Sequence, residues 1–152
     1  MSAMADCFSP QLRSEIMSRI RSKNTVPEER MLLIIRAALG HRWRIDQNAS
    51  YLPGKPDVVV PSLRLCVFVD GCFFHGCPQH WRAPKTRPEY WVPKVEGNKA
   101  RDRSHARQLR AQGWSVWRFW EHDLKNSRLD RTGAVLALRI ARRRAVMSEG
   151  HL

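Results

Sequence analysis

Long hydrophobic runs are missing from this 152-residue sequence. The longest, Met31-Leu32-Leu33-Ile34-Ile35, is stopped by Arg36, far short of the roughly 20 residues that a membrane helix needs. Met1-Ser2-Ala3-Met4-Ala5-Asp6 shows no basic start followed by an apolar stretch, so no secretory leader is read and a cytoplasmic protein with no membrane partner is expected. Cysteine is scarce: the four are Cys7, Cys66, Cys72 and Cys77, which in a reducing compartment argue for metal or buried thiols rather than disulfides. Acidic residues are scarce too, 14 against 27 basic ones, for a net charge of +13 and a pI near 10.8. Lysine supplies only 6 of those cations and arginine 21. A forked guanidinium grips phosphate, so the excess favours a polyanionic partner, with a merely solvated basic surface as the plainer alternative. No repeat, linker or low-complexity segment divides the chain, and one domain over 1–152 is expected.

What is present suffices for a core: 43% of the residues are hydrophobic and six are Trp. Ser9-Pro10 opens a first helix with Leu12, Ile16, Met17 and Ile20 at helical spacing. Thr25 or Val26 caps a second, with Pro27 in its first turn, Leu32, Ile35 and Leu39 as its buried stripe and Gly40 as its end. Trp43 to Asp46 reads as a short strand. Val58-Val59-Val60 and Leu65 to Val69, separated by Pro61-Ser62, read as a hairpin. Residues 71–93 have no helical or strand period and read as a long loop. A charged helix over Asn98 to Gln112, an aromatic strand over Trp114 to Trp120 and a last helix over Arg131 to Ala145 follow. That order describes one α/β domain.

Three groups of residues carry chemistry. Cys72-x4-Cys77-x2-His80 has the ligand types of tetrahedral zinc, with His122 as the fourth ligand and His75 as its rival inside the loop. A loop with a few unpaired cysteines is the plainer reading. Asp57 opens one hairpin strand and Asp70 ends the other, so the two carboxylates can share a hard cation such as magnesium. His75 is then placed to take a proton from a bound water, and Glu28 adds a more distant carboxylate. Acidic residues at strand ends are also ordinary turn formers. Finally, Phe73, Phe74, Tyr90 and Trp91 are large rings in a basic, irregular stretch, suited to wedging between base pairs or to packing the loop.

The chain resembles a known family, the very short patch repair (Vsr) endonucleases. The matching residues are Arg13-Ser14-x-x-Met17, Lys23-Asn24-Thr25-x-Pro27-Glu28, Leu52-Pro53-Gly54-Lys55-Pro56-Asp57, Asp70-Gly71-Cys72-Phe73-Phe74-His75-Gly76-Cys77-Pro78, Pro84-Lys85-Thr86, Tyr90-Trp91, Asn98, Arg101-Asp102, Gly113-Trp114 and Trp120-Glu121. They run from about Ser9 to Leu124 and leave 125–152 as a C-terminal helix and basic tail, with Arg142 to Arg144 read as solvated.

The resemblance implies a restriction-endonuclease-like, PD-(D/E)XK-type fold: a central mixed sheet flanked by helices, with a structural zinc loop. It implies a magnesium-dependent DNA-repair enzyme that nicks one strand 5′ of the thymine in a T:G mismatch left by deamination of 5-methylcytosine. Asp57 would bind magnesium together with the backbone carbonyl of Val69, His75 would be the general base, Glu28 would support the site and Asp70 would adjoin it. Cys72, Cys77, His80 and His122 would hold zinc. Phe73, Phe74 and Trp91 would form the intercalating wedge, with Phe74 standing where the family usually has Trp. The N-terminal helix would approach the minor groove. A link to a cytosine-5 DNA methyltransferase and to general mismatch-repair proteins, action as a monomer, and a place at the nucleoid complete the expectation. Two alternatives stay open: a non-catalytic zinc-bearing DNA-binding module, and a nuclease of the same fold with a different target.

Overall fold

Pro27 has no N–H to lose and a φ already set for a helix, and it opens α1, Pro27–Leu39, with Glu28 and Glu29 in the first turn and Arg36 in the last. The computed structural model describes residues 27–150 together with residue 11. The helix expected over Leu12 to Ile20, the capping residues Thr25 and Val26, and Cys7 lie outside the described residues. α1 buries Met31, Ile34, Ile35 and Leu39. The stripe is thus rotated from the expected Leu32, Ile35 and Leu39, and Leu32 packs at its margin. Gly40, at φ +88°, ends the helix through its N–H to the Arg36 carbonyl at 2.8 Å.

The first strand, β1, is Asp46–Gln47, shorter and later than the Trp43 to Asp46 reading. Trp43 instead packs on the core, its carbonyl accepting from Arg36 Nη1 at 2.7 Å. β2, Val58–Val60, and β3, Leu65–Asp70, form the expected antiparallel hairpin, with Val58 opposite Val67 and Val60 opposite Leu65. Pro61–Leu63 make a 3-10 turn between them. β4, Ser115–Trp120, then pairs parallel to β3, so the mixed sheet runs β1-β2-β3-β4.

A parallel neighbour requires a crossover, and α2, Pro88–Ala111, supplies it. This helix begins ten residues before the expected Asn98. The stretch up to residue 93, read as loop for want of a period, is helical from Pro88 on: Pro88 takes the first helical turn, where proline is tolerated, and Pro93 lies inside the helix. Tyr90 and Trp91 therefore stand on a helix rather than a loop. α3, Leu129–Glu149, also exceeds the expected Arg131 to Ala145. Its Gly133 is buried with Leu136 and Ile140 against the core and does not break it.

The sheet is covered on both faces, which explains its unbroken apolar runs. Val58, Val60, Leu65, Val67, Val69 and Phe119 face α1 and α3. Val59, Cys66 and Phe68 face the other way, toward Leu109 of α2. Part of the arginine excess is structural. Arg143 donates to the Leu63 carbonyl at 2.9 Å, Arg144 stacks on Trp43 and Arg139 lies over Trp117 and Phe119. The Arg142 to Arg144 run is thus docked through two of its members rather than freely solvated. Among the described residues, no helix is long and apolar enough to cross a membrane.

Candidate active site and metal-binding loop

The antiparallel register of β2 and β3 brings the start of one strand beside the end of the other, and with them Asp57 beside Val69 and Asp70. Asp57 Oδ2 accepts the Val69 N–H at 2.7 Å. Glu28 reaches the same place from the first turn of α1. Together with Gly54, Lys55, Phe74, His75, Asp102 and Arg118 they line a cleft of about 360 Å³. Burial pushes the Asp57 carboxyl up to about 6 against the Val69 hydrogen bond, with the negative charges of Glu28 and Asp70 adding to the rise and Arg118 opposing it. A carboxylate so short of compensation is a ready seat for a cation.

Side chains alternate along β3, so Val69 enters the α1–α3 core while Asp70 faces α2, almost fully buried. Arg118, on the neighbouring parallel strand, grips Asp70 with two bonds, Nε to Oδ2 at 2.8 Å and Nη2 to Oδ1 at 3.0 Å. Removing one partner of a buried pair of this kind costs about 3–5 kcal/mol, because the other charge is left bare. Asp102, from α2, lies 3.3 Å from Arg118 through Oδ1 and 2.6 Å from His75 Nδ1 through Oδ2. His75 Nδ1 is 3.8 Å from Asp70 Oδ1, beyond a hydrogen bond. Of the two strand-end carboxylates expected to share a cation, Asp70 thus has both oxygens on Arg118, while Asp57 faces the cleft with one on a backbone N–H.

Beyond β3, residues 71–87 form turns that fold back onto the end of β4. Cys72 Sγ, Cys77 Sγ, His80 Nδ1 and His122 Nδ1 converge, the group lying within 4.8 Å. Cys72 stands 3.2 Å from His122 and 3.9 Å from His80; Cys77 stands 3.7 and 3.6 Å from the same two nitrogens; the nitrogens are 3.1 Å apart. Metal–ligand bonds of about 2.0–2.3 Å give tetrahedral edges of about 3.3–3.8 Å; the two Cys77 separations fall inside that range, and the other three lie within about 0.2 Å of it. The rival fourth ligand, His75, is turned away onto Asp102. Burial pushes the Cys72 thiol up to about 11, so a cation taken here would displace the thiol proton, and it pushes His122 down, toward the neutral ring that can ligate without losing one. The loop is held from outside as well. Glu121 Oε1 accepts the Cys72 N–H at 2.9 Å, and Asp123 lies 3.6 Å from His122 Nε2. Gly76, at φ +65°, has no room for a side chain: a Cβ would stand 2.9 Å from Lys99 Cδ and 3.0 Å from Val95 Cγ1.

That clamp presents the rings. Phe73 packs edge-on against Phe74 at 5.3 Å and Trp91 at 5.1 Å, and Tyr90 packs against Trp91 at 5.0 Å. Phe74 is 54% exposed and Tyr90 45%, while Trp91 is half-buried, its exposure limited by these contacts. Asn98 Nδ2 fixes the Phe74 carbonyl at 2.9 Å. Phe74 and His75 also line a groove of about 430 Å³ along α2 with Lys94, Asn98, Arg101 and His105. Sequence reasoning assigned no task to Asp102, Arg118 or Glu121. In the sequence Asp102 reads only as part of the charged helix over Asn98 to Gln112 and as one of the residues that carry the family resemblance. Arg118 left one signal, a lone charge at an alternating position of an aromatic strand.

An α/β domain that sets a carboxylate–imidazole cleft beside exposed rings and a basic groove is built like a nuclease. The sequence model of the family described as "DNA mismatch endonuclease Vsr" matches residues 5–83. Type II nicking enzyme V.XorIIP of Xanthomonas oryzae is 42% identical over 125 residues, covering 81% of this chain and 89% of its own length. Type II nicking enzyme V.NaeI of Lentzea aerocolonigenes is 40% identical over 114 residues, covering 73% and 68%. DNA mismatch endonuclease Vsr of Escherichia coli is 37% identical over 123 residues, covering 80% and 77%. The chain belongs to the Vsr family.

Proposed function

We propose that this chain is a DNA endonuclease that uses a divalent cation to nick one strand of duplex DNA on the 5′ side of the thymine in a T:G mismatch, on a PD-(D/E)XK-type fold. Family membership supports the endonuclease class; the names of the relatives, mismatch endonuclease and nicking enzymes, support the mismatch and the single-strand cut. The observation that carries the reading is that Asp57 and His75, 18 residues apart in sequence, line one cleft with the exposed Phe74.

Asp57 and the Val69 carbonyl would hold magnesium, whose chemistry is to polarise a phosphoryl oxygen and acidify a water. Glu28 adds negative charge from the helix start. His75, with Nδ1 committed to Asp102, has Nε2 left to take the proton of the attacking water. Asp70 supports the site through Arg118. The four Cys and His ligands suit zinc, which closes the loop and has no part in the cut. Phe73, Phe74 and Trp91 form the wedge, which enters most easily where pairing is already weak, since unstacking costs a few kcal/mol per step and least at a mismatch. Arginines along α2 hold phosphates and make binding fall with salt. The mismatch arises by deamination of 5-methylcytosine, so the enzyme works downstream of a cytosine-5 methyltransferase, as a monomer in the cytoplasm.

The test is incubation with matched T:G and T:A duplexes and magnesium. Nicking of T:G alone is expected. Equal cutting of both favours a same-fold nuclease with another target; binding without cutting in every context favours a non-catalytic zinc-bearing module.

A further inference from the structure

Three ligand atoms, from Asp70, His75 and Asp102, lie within 4.8 Å of one another at the back of the Asp57 cleft. Such a group invites a second divalent cation, yet a cation of the chain's own already stands among them. Arg118 holds both oxygens of Asp70, at 2.8 and 3.0 Å, and its Nη2 lies 3.3 Å from Asp102 Oδ1. The guanidinium is fixed from below as well, lying over the Phe68 ring at 4.2 Å, and Phe68 is its register partner across the parallel β3–β4 pair. We infer that Arg118 is a positioning residue for strand cleavage: it fills the place of a second divalent cation and aims the Asp102 carboxylate at His75. The inference rests on the nuclease reading only where it invokes the role of His75.

The geometry divides the labour of Asp102. One oxygen faces Arg118 and the other faces His75 Nδ1, so the plane of the carboxylate is set from both sides. Held by α2 alone, that carboxylate could turn about its last bond and release the imidazole. A planar fork with several donors meets three oxygens at once, which the single point charge of lysine does not. A divalent ion bound to Asp70 and Asp102 would have to displace this guanidinium. The open seat is therefore left to Asp57, whose Oδ2 meets the Val69 N–H in the same cleft.

The experiment compares the unsubstituted protein with Arg118→Met, Arg118→Lys and the double variant Asp70→Asn, Arg118→Met. Folding is checked by thermal melting; the double variant leaves no bare carboxylate at position 70 and stands in if the single one does not fold. Single-turnover nicking of a T:G duplex is read beside duplex affinity in calcium. Mn²⁺ bound per chain without DNA is counted by electron paramagnetic resonance. For Arg118→Met the expected result is a nicking rate lower by about 10²-fold, the scale of a misplaced catalytic group, with duplex affinity unchanged and one more Mn²⁺ per chain. Arg118→Lys recovers part of the rate and keeps the original Mn²⁺ count. The double variant stays slow, because Asp102 still lacks its guanidinium. A folded Arg118→Met or double variant that nicks at the original rate, or an Arg118→Met protein with no added Mn²⁺, overturns the inference. If the unsubstituted chain nicks nothing, the nuclease reading fails instead, and the Mn²⁺ count alone decides whether Arg118 fills the second seat.

Discussion

Oδ2 of Asp102 lies 2.6 Å from Nδ1 of His75, joining residues 27 positions apart in sequence. In the proposed reaction, that contact leaves Nε2 for the water. Asp102→Asn keeps the size of the side chain but removes its charge. It is expected to lower single-turnover nicking by about 10²-fold, the low end of general-base contributions, while duplex affinity in calcium is unchanged. A loss confined to affinity would place Asp102 in DNA binding instead.

Asp57 lines the same cleft, with Oδ2 on the Val69 N–H rather than on a guanidinium. Asp57→Asn should lower nicking by about 10³-fold or more, since it removes several kcal/mol of stabilisation at the phosphoryl group, with binding of the T:G duplex kept. Cutting at an undiminished rate would move the cation elsewhere.

The same residue sets a pH dependence. Its folded carboxyl titrates near 6 because it is buried, above the ordinary 3.8. The unfolded chain therefore holds fewer protons between these values, and the cation-free fold loses stability as pH rises through about 6. On the proposed reading, magnesium would compete with that proton. Melting temperatures with and without magnesium should differ more at pH 7.5 than at pH 5. An equal difference at both values would separate the cation from Asp57.

Zinc should be found at about one per chain by elemental analysis, and chelation should lower the melting temperature sharply, because on the proposed reading the metal closes the loop. Cys77→Ser should do the same. Cys66 provides an internal contrast: its thiol is fully buried, burial pushes it up to about 12, and it should resist alkylation until the chain unfolds.

Phe74 is the most exposed ring of the wedge. Phe74→Ala should weaken binding of a T:G duplex by roughly 5–150-fold, equivalent to about 1–3 kcal/mol of stacking, and leave binding of a paired duplex nearly unchanged. Equal losses on both duplexes would make the ring a packing residue of the loop.

How much of this was legible in the sequence depended on range. The β2–β3 hairpin was readable because Val58 to Val60 and Leu65 to Val69 are β-branched runs around Pro61, a local pattern. The convergence of the four Cys and His side chains was readable from the Cys72-x4-Cys77-x2-His80 spacing and from His122 standing just past the aromatic strand. The start of α2 was misread because residues up to 93 show no helical period, and whether prolines such as Pro88 and Pro93 fit a helix depends on what packs there. The Arg118–Asp70 and Asp102–His75 contacts were invisible: they cross 48 and 27 residues, and only the parallel pairing of β3 with β4 and the crossover by α2 bring them together.

The most direct measurement is to map, at nucleotide resolution, single-turnover products from a T:G duplex and its T:A counterpart with magnesium, using the unsubstituted chain and Asp57→Asn. The account predicts one nick, 5′ of the mismatched thymine on that strand only, absent from T:A and lost in Asp57→Asn. Cutting of both strands, equal cutting of T:A, or an undiminished nick from Asp57→Asn would contradict it.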